Sequence, residues 1–187
     1  SIEVTYINFP DEARQAFEFA AGIWERLVSS PVPIKIIACW EHMDENILAK
    51  SHPSLFYNNF KGSPSHDIYY PVALAEKLCG KEMNPGSHDI VCNFNSKYKW
   101  YFGTDGQTPE THYDLVSSAL HEITHGLGFS GFLEDNNGIG YFNNATNLPS
   151  IYDYYIFNHL NQQISDKSLF KSPSADLHNQ LTSGKLK

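Results

Sequence analysis

Two imidazoles and a carboxylate stand in the order His121-Glu122-Ile123-Thr124-His125. On an α-helix, residues four apart share a face, so the rings of His121 and His125 converge on one point. Imidazole nitrogen is a zinc ligand, and H-E-x-x-H is the spacing with which one helix offers two of them. Glu122, one residue beyond the first histidine, can reach a water at the metal without being a ligand itself. The combination points to hydrolysis, with Zn²⁺ held by His121 and His125 and Glu122 as general base for a water attacking a carbonyl.

The surrounding pattern predicts the helix that must carry these groups. Val116, Leu120, Ile123 and Leu127 recur at helical spacing and should form a core-facing stripe beside the histidines. Thr111 and Asp114 supply cap and first-turn signals, Pro109 lies just upstream, and Gly126 and Gly128 are natural stops. Burying two histidines and a glutamate with no partner would be costly, which favours a metal over a chance occurrence of the motif.

The string HEITHGLGF, residues 121–129, resembles the active-site helix of the zincin metallopeptidases. Gly128 falls where the metzincin branch has its glycine. The upstream DIVCNFNSKYKWYFGTDG and the downstream PSIYDYYIF are similar to a group of secreted bacterial zincin-like proteins with HE-x-x-HGLGF. The resemblance covers residues 89–157. It implies an α+β fold, with a twisted mixed sheet packed on an N-terminal helix and a central active-site helix. It also implies a secreted, extracellular or periplasmic zinc endopeptidase acting on a protein or peptide. The 89–95 strand would be the cleft edge where substrate backbone pairs.

The same resemblance exposes a gap. Metzincins place a third ligand three residues after the glycine, and Gly131 stands there without a side chain. They also carry a methionine turn after the helix, whereas Met43 and Met83 both precede it. Within the chain Glu134, Asp135, Asp153, His159 and His178 are candidates for the third ligand. The favoured expectation is a ligand beyond Lys187, from a further segment of the same polypeptide that completes the metal site. Residues 1–187 would then be one metallopeptidase-like domain lacking its C-terminal part. The competing expectation is a zincin-fold binding or adhesion module that has lost turnover.

Composition narrows the rest. With 13 basic and 21 acidic residues, a net charge of −8 and no Lys/Arg cluster, nucleic acid and anionic membranes are disfavoured as partners. No apolar run approaches a membrane span. Cys79 and Cys92 flank a short Gly/Pro-containing connection and are expected to form a disulfide, leaving Cys39 free; that would fit an oxidising compartment. The start at Ser1 would fit a processed chain.

Along the chain, strands are expected at 2–9 and 34–40, with a helix from 11 to about 28 between them. Short strands are expected at 47–49 and 55–57 around a break at His52-Pro53, and a helix at 72–78 ended by Gly80. Asp105 between glycines reads as turn chemistry in preference to a calcium ligand. Residues 134–147 read as a Gly/Asn-rich loop carrying a glycosylation sequon at Asn144, and 151–159 as an aromatic strand. A short helix is expected at 175–181, and nothing after Phe157 is expected to form a core of its own.

Overall fold

A computed structural model describes every residue from Ser1 to Lys187. In chain order the elements are β1 (Ile2–Ile7), α1 (Asp11–Leu27), β2 (Ile34–Glu41), β3 (Ala49–Pro53), β4 (Phe56–Tyr57), β5 (Tyr70–Pro71), α2 (Val72–Cys79), β6 (Ile90–Asn95), β7 (Trp100–Tyr101), β8 (Tyr113–Asp114), α3 (Leu115–Leu127), β9 (Leu133–Asn136), β10 (Ile139–Phe142), α4 (Ile151–Tyr154) and α5 (Ala175–Leu181). The fold is α+β with a mixed sheet. The chain forms two compact units, one of Ser1–Phe56 with Pro71–Gly128, the other of Tyr57–Tyr70 with Phe129–Lys187.

The first unit is built on a four-stranded sheet in the order β1-β2-β6-β3. β1, β2 and β6 run parallel, while β3 runs antiparallel to β6. Alternation sends Ile34, Ile36 and Ala38 of β2 and Ile90, Cys92 and Phe94 of β6 into one core. α1 closes over that core with Ala13, Ala16, Phe17, Ala20 and Ala21, and α3 with Leu115, Ala119 and Ile123. The small alanines let the two helices lie close to the sheet and to each other, and the Trp24 indole donates to the carbonyl of Leu120 at 3.2 Å. Phe94 anchors an aromatic cluster, with Phe9, Phe17 and Trp100 rings edge-on at 5.7, 5.9 and 5.7 Å.

Several expectations for this unit need correction. The strand expected at the cleft edge, β6, lies inside the sheet, and the edge beyond it is β3. β3 runs through the expected break: His52 is exposed, and Pro53 closes the strand. Proline lacks a donor and is tolerated at the end of an edge strand, so it marked a strand terminus there and not a loop. The buried stripe of α3 is also rotated from the expected one. Leu115, Ala119, Glu122, Ile123 and Gly126 are buried, while Val116, Leu120 and Leu127 pack only partly on the core. Cys39, Cys79 and Cys92 are all free thiols, so the expected Cys79–Cys92 disulfide is absent. Cys92 is spent on the core, and burial together with the nearby Glu122 carboxylate pushes its thiol pKa well up.

In the second unit β9 and β10 form an antiparallel hairpin through Asn137 and Gly138, at φ of 51° and 80°. Both turn residues with positive φ are the signature of a type I′ turn, which Asn-Gly favours. The segment expected as a loop is thus largely hairpin. Residues 151–154 are helical where a strand was expected, because Ser150 and Asp153 form a reciprocal capping box. Ile164, Phe170 and Leu177 gather a small core with Leu133, Ile156, Leu181 and Leu186 against it, although no core was expected after Phe157.

α3 and β6 approach each other closely at Gly126. A Cβ on Gly126 would lie 2.2 Å from Cγ2 of Ile90, a fully buried side chain. Gly126→Ala should therefore destabilise the protein by about 1–3 kcal/mol, even though alanine is the better helix former by about 1 kcal/mol. Denaturant unfolding of the single variant and of the double variant with Ile90→Ala checks the cause: the alanine should cost clearly less once Ile90 is truncated.

Candidate functional site

Asp114 starts α3. Its Oδ1 accepts from the backbone N–H of Ser117 at 2.6 Å, and its Oδ2 accepts from the Thr108 hydroxyl at 2.6 Å. Burial alone would raise this carboxyl, but the hydrogen bonds from Thr108 and Ser117 outweigh it and hold it below the ordinary aspartate range. Of the two expected cap signals, Asp114 is the cap. At the other end Gly128 takes φ of 128°, and its N–H returns to the carbonyl of His125 at 3.1 Å. The helix that carries the motif is therefore fixed at both ends.

Between those ends the motif converges as its spacing predicts. The Nε2 atoms of His121 and His125 lie 2.9 Å apart. Two ligands on one tetrahedral zinc, each bonded at about 2.05 Å, sit about 3.3 Å apart, so a small rotation of either ring accommodates one ion. The donor set fits two of the positions zinc requires. His121 is exposed and His125 half-buried, whereas Glu122 is buried at 7% exposure. The same turn of helix thus presents ligands outward and holds its carboxylate at the base.

A cleft of about 410 Å³ opens beside these residues, lined by Ser117, Ser118, His121 and Glu122 of α3 and by Leu48 and Ala49 from the edge strand side. The Ser51 hydroxyl ties that strand to the helix, donating to the carbonyl of Glu122 at 2.6 Å. Ser117 and Ser118 were not singled out by sequence, yet they lie four and three residues before His121, and helical spacing alone places them on its face. Leu48 and Ala49 had no such signal, because an edge strand this short carries little periodicity.

The five in-chain candidates all belong to the second unit, where most have other partners. Glu134 accepts from the Asn143 amide at 2.9 Å, and Asp135 meets Nδ1 of His178 at 3.0 Å. Asp153 is fully buried and accepts from the backbone N–H groups of Phe132 and Ser150 at 2.9 and 2.8 Å; burial pushes its carboxyl up. His159 is exposed. Asp105 accepts from the Tyr101 hydroxyl at 2.7 Å and the Gln107 N–H at 3.0 Å, as turn chemistry requires.

Gly131 has a packing reason to lack a side chain. A Cβ there would lie 2.4 Å from Oδ1 of Asp153 and 3.0 Å from the Tyr152 ring. Gly131→His, which supplies the residue the motif leads one to expect, should cost about 1–3 kcal/mol by overpacking. Denaturant unfolding compares it with the native chain; undiminished stability would mean that the loop yields.

A protein-family model described as SPBPB7E8-like matches residues 32–180, a span that contains His121, Glu122 and His125. No curated protein and no solved structure matches the chain.

Proposed function

The chain belongs to the SPBPB7E8-like family, and from the site inside the matched span we propose a secreted zinc-dependent endopeptidase of zincin-like fold. The observation that carries this reading is the pair of Nε2 atoms 2.9 Å apart, with a buried glutamate between the two histidines that lines the cleft together with His121. His121 and His125 would hold the zinc. Once bound, zinc would polarise a scissile carbonyl and make a water acidic enough to attack near neutral pH. Glu122 then takes the proton of the attacking water and passes it to the leaving amine. An extended peptide would lie along β3, the terminal strand of the sheet, pairing by main-chain hydrogen bonds as an added strand. Leu48 and Ala49 would form an apolar wall of that binding groove.

One observation favours a second reading. Gly131 stands where a third ligand was expected, and a helix without that ligand would suit a binding or adhesion module without turnover. The buried Glu122 argues the other way, since a module that only binds has no use for a general base beside a metal.

Zinc titration and digestion of a generic protein substrate separate the two. The native chain should bind zinc, His121→Ala and His125→Ala should each abolish binding, and Glu122→Gln should retain zinc while losing activity at least a hundredfold. Zinc bound without any digestion would favour the module. Equal zinc content in native and histidine variants would remove the metal site altogether.

A further inference from the structure

α2 ends at Gly80, which takes φ of 71°, and the chain then loops back to enter β6. Glu76 in the last turns of α2, Glu82 in the loop and Asp89 just before β6 are brought together, with a carboxylate oxygen from each within 4.8 Å of the others. Glu76 and Asp89 are 1% and 0% exposed, and Asn84 in the same loop is 7% exposed. We propose that Glu76, Glu82 and Asp89, with the side-chain oxygen of Asn84, bind a divalent cation of the oxygen-seeking kind, calcium foremost.

Three side-chain oxygens carry the inference. Oε1 of Glu82, Oδ1 of Asn84 and Oδ1 of Asp89 are buried with no hydrogen-bond partner. Buried acceptors are ordinarily satisfied, since each one left unpaired costs on the order of 1–3 kcal/mol. The same residues spend their other polar atoms on fixing the loop. Asp89 Oδ2 accepts from the Lys35 N–H at 2.8 Å, and Glu76 Oε1 accepts from the Met83 N–H at 2.7 Å. The Asn84 amide donates to the His88 carbonyl at 3.2 Å, and the Lys35 ammonium donates to Glu82 Oε2 at 2.6 Å. Glu82, Asn84 and Asp89 are thus each held by one atom while another is left buried without a partner.

Charge points the same way. Three carboxylates face one paired ammonium, Lys35, which leaves two negative charges for a divalent cation to neutralise. Burial pushes the carboxyls of Glu76 and Asp89 up, the electrostatic cost that a bound cation would remove. The donors are all oxygen, which selects calcium, magnesium or manganese over zinc. Calcium accepts six to eight oxygens at about 2.3–2.6 Å in loose geometry, with main-chain carbonyls and water completing the shell; magnesium demands a tighter octahedron. None of these residues belongs to the histidine cleft, so the proposal stands apart from the peptidase reading.

The test is thermal unfolding and calorimetric titration of the chelator-stripped chain with CaCl2 and MgCl2. One calcium per chain should bind, and at a hundredfold excess over Kd it should raise Tm by about 5–10 °C. Asp89→Asn and Glu82→Gln should each weaken calcium at least tenfold, while His121→Ala leaves the response intact. A native chain indifferent to calcium overturns the proposal, as does a response that survives unchanged in both carboxylate variants. Asp89→Asn raising Tm without ions, in a protein that ignores calcium, would show that the cluster keeps a proton in place of a cation, and this too overturns it.

Discussion

The distance between α3 and the sheet is the constraint on which the first unit depends. Gly126 lets the helix backbone settle against Ile90, and a single methyl at that position would have to displace a fully buried side chain. Close packing brings Glu122 down to the level of Cys92 and the carbonyl of Glu122 within reach of the Ser51 hydroxyl. It also sets the histidines at the rim, beside the strand that ends the sheet. Interiors this dense do not deform continuously, so a helix lifted by one methyl would carry all three motif residues with it. The glycine immediately after His125 therefore positions the motif residues through its packing on Ile90.

The two proposed cation sites of the first unit differ in the atoms each place offers. α3 offers imidazole nitrogens partly open to solvent, the donors borderline metals prefer. The turn between α2 and β6 offers only buried oxygens, already braced by main-chain hydrogen bonds. The first arrangement keeps room beside its ligands for a reacting group. In the second, the residues knit Lys35 of β2 to the entry of β6 and the end of α2.

Much of the first unit could be read from residues alone, because its signals were local. α1, α2 and α3 announced themselves by periodicity with Pro, Asp and Gly at their ends, and β2 and β6 by apolar runs between breakers. The converging histidines followed from helix geometry. What could not be read depended on distant partners. β3 carries Lys50, His52 and Pro53 in five residues and is a strand only because β6 supplies its hydrogen bonds. β6 was expected at the cleft edge from the resemblance alone, since nothing in its own composition says which neighbours it has. α4 is too short to show a period, and its aromatic residues argued for a strand until the Ser150–Asp153 box is seen. The hairpin is different, since Asn137-Gly138 is a turn signal that the polar residues around it obscured. The acidic trio spans a helix end, a loop and a strand start, a convergence no spacing rule encodes.

The two units are interleaved along the chain: the first takes Ser1–Phe56 and Pro71–Gly128, the second Tyr57–Tyr70 and Phe129–Lys187. Within the second, Tyr69 receives the Ile151 N–H on its carbonyl at 2.8 Å and meets the Phe132 ring at 5.8 Å, so the early excursion is structural there and not a spacer. Emerging from a ribosome, the first unit has all its parts once Gly128 is out, while residues 57–70 must wait for partners still to be made. The histidine helix can thus be folded before the second unit exists. A protease cutting after Gly128 would leave the first unit whole on one fragment, which would also carry residues 57–70 of the second. No single cut could release the second.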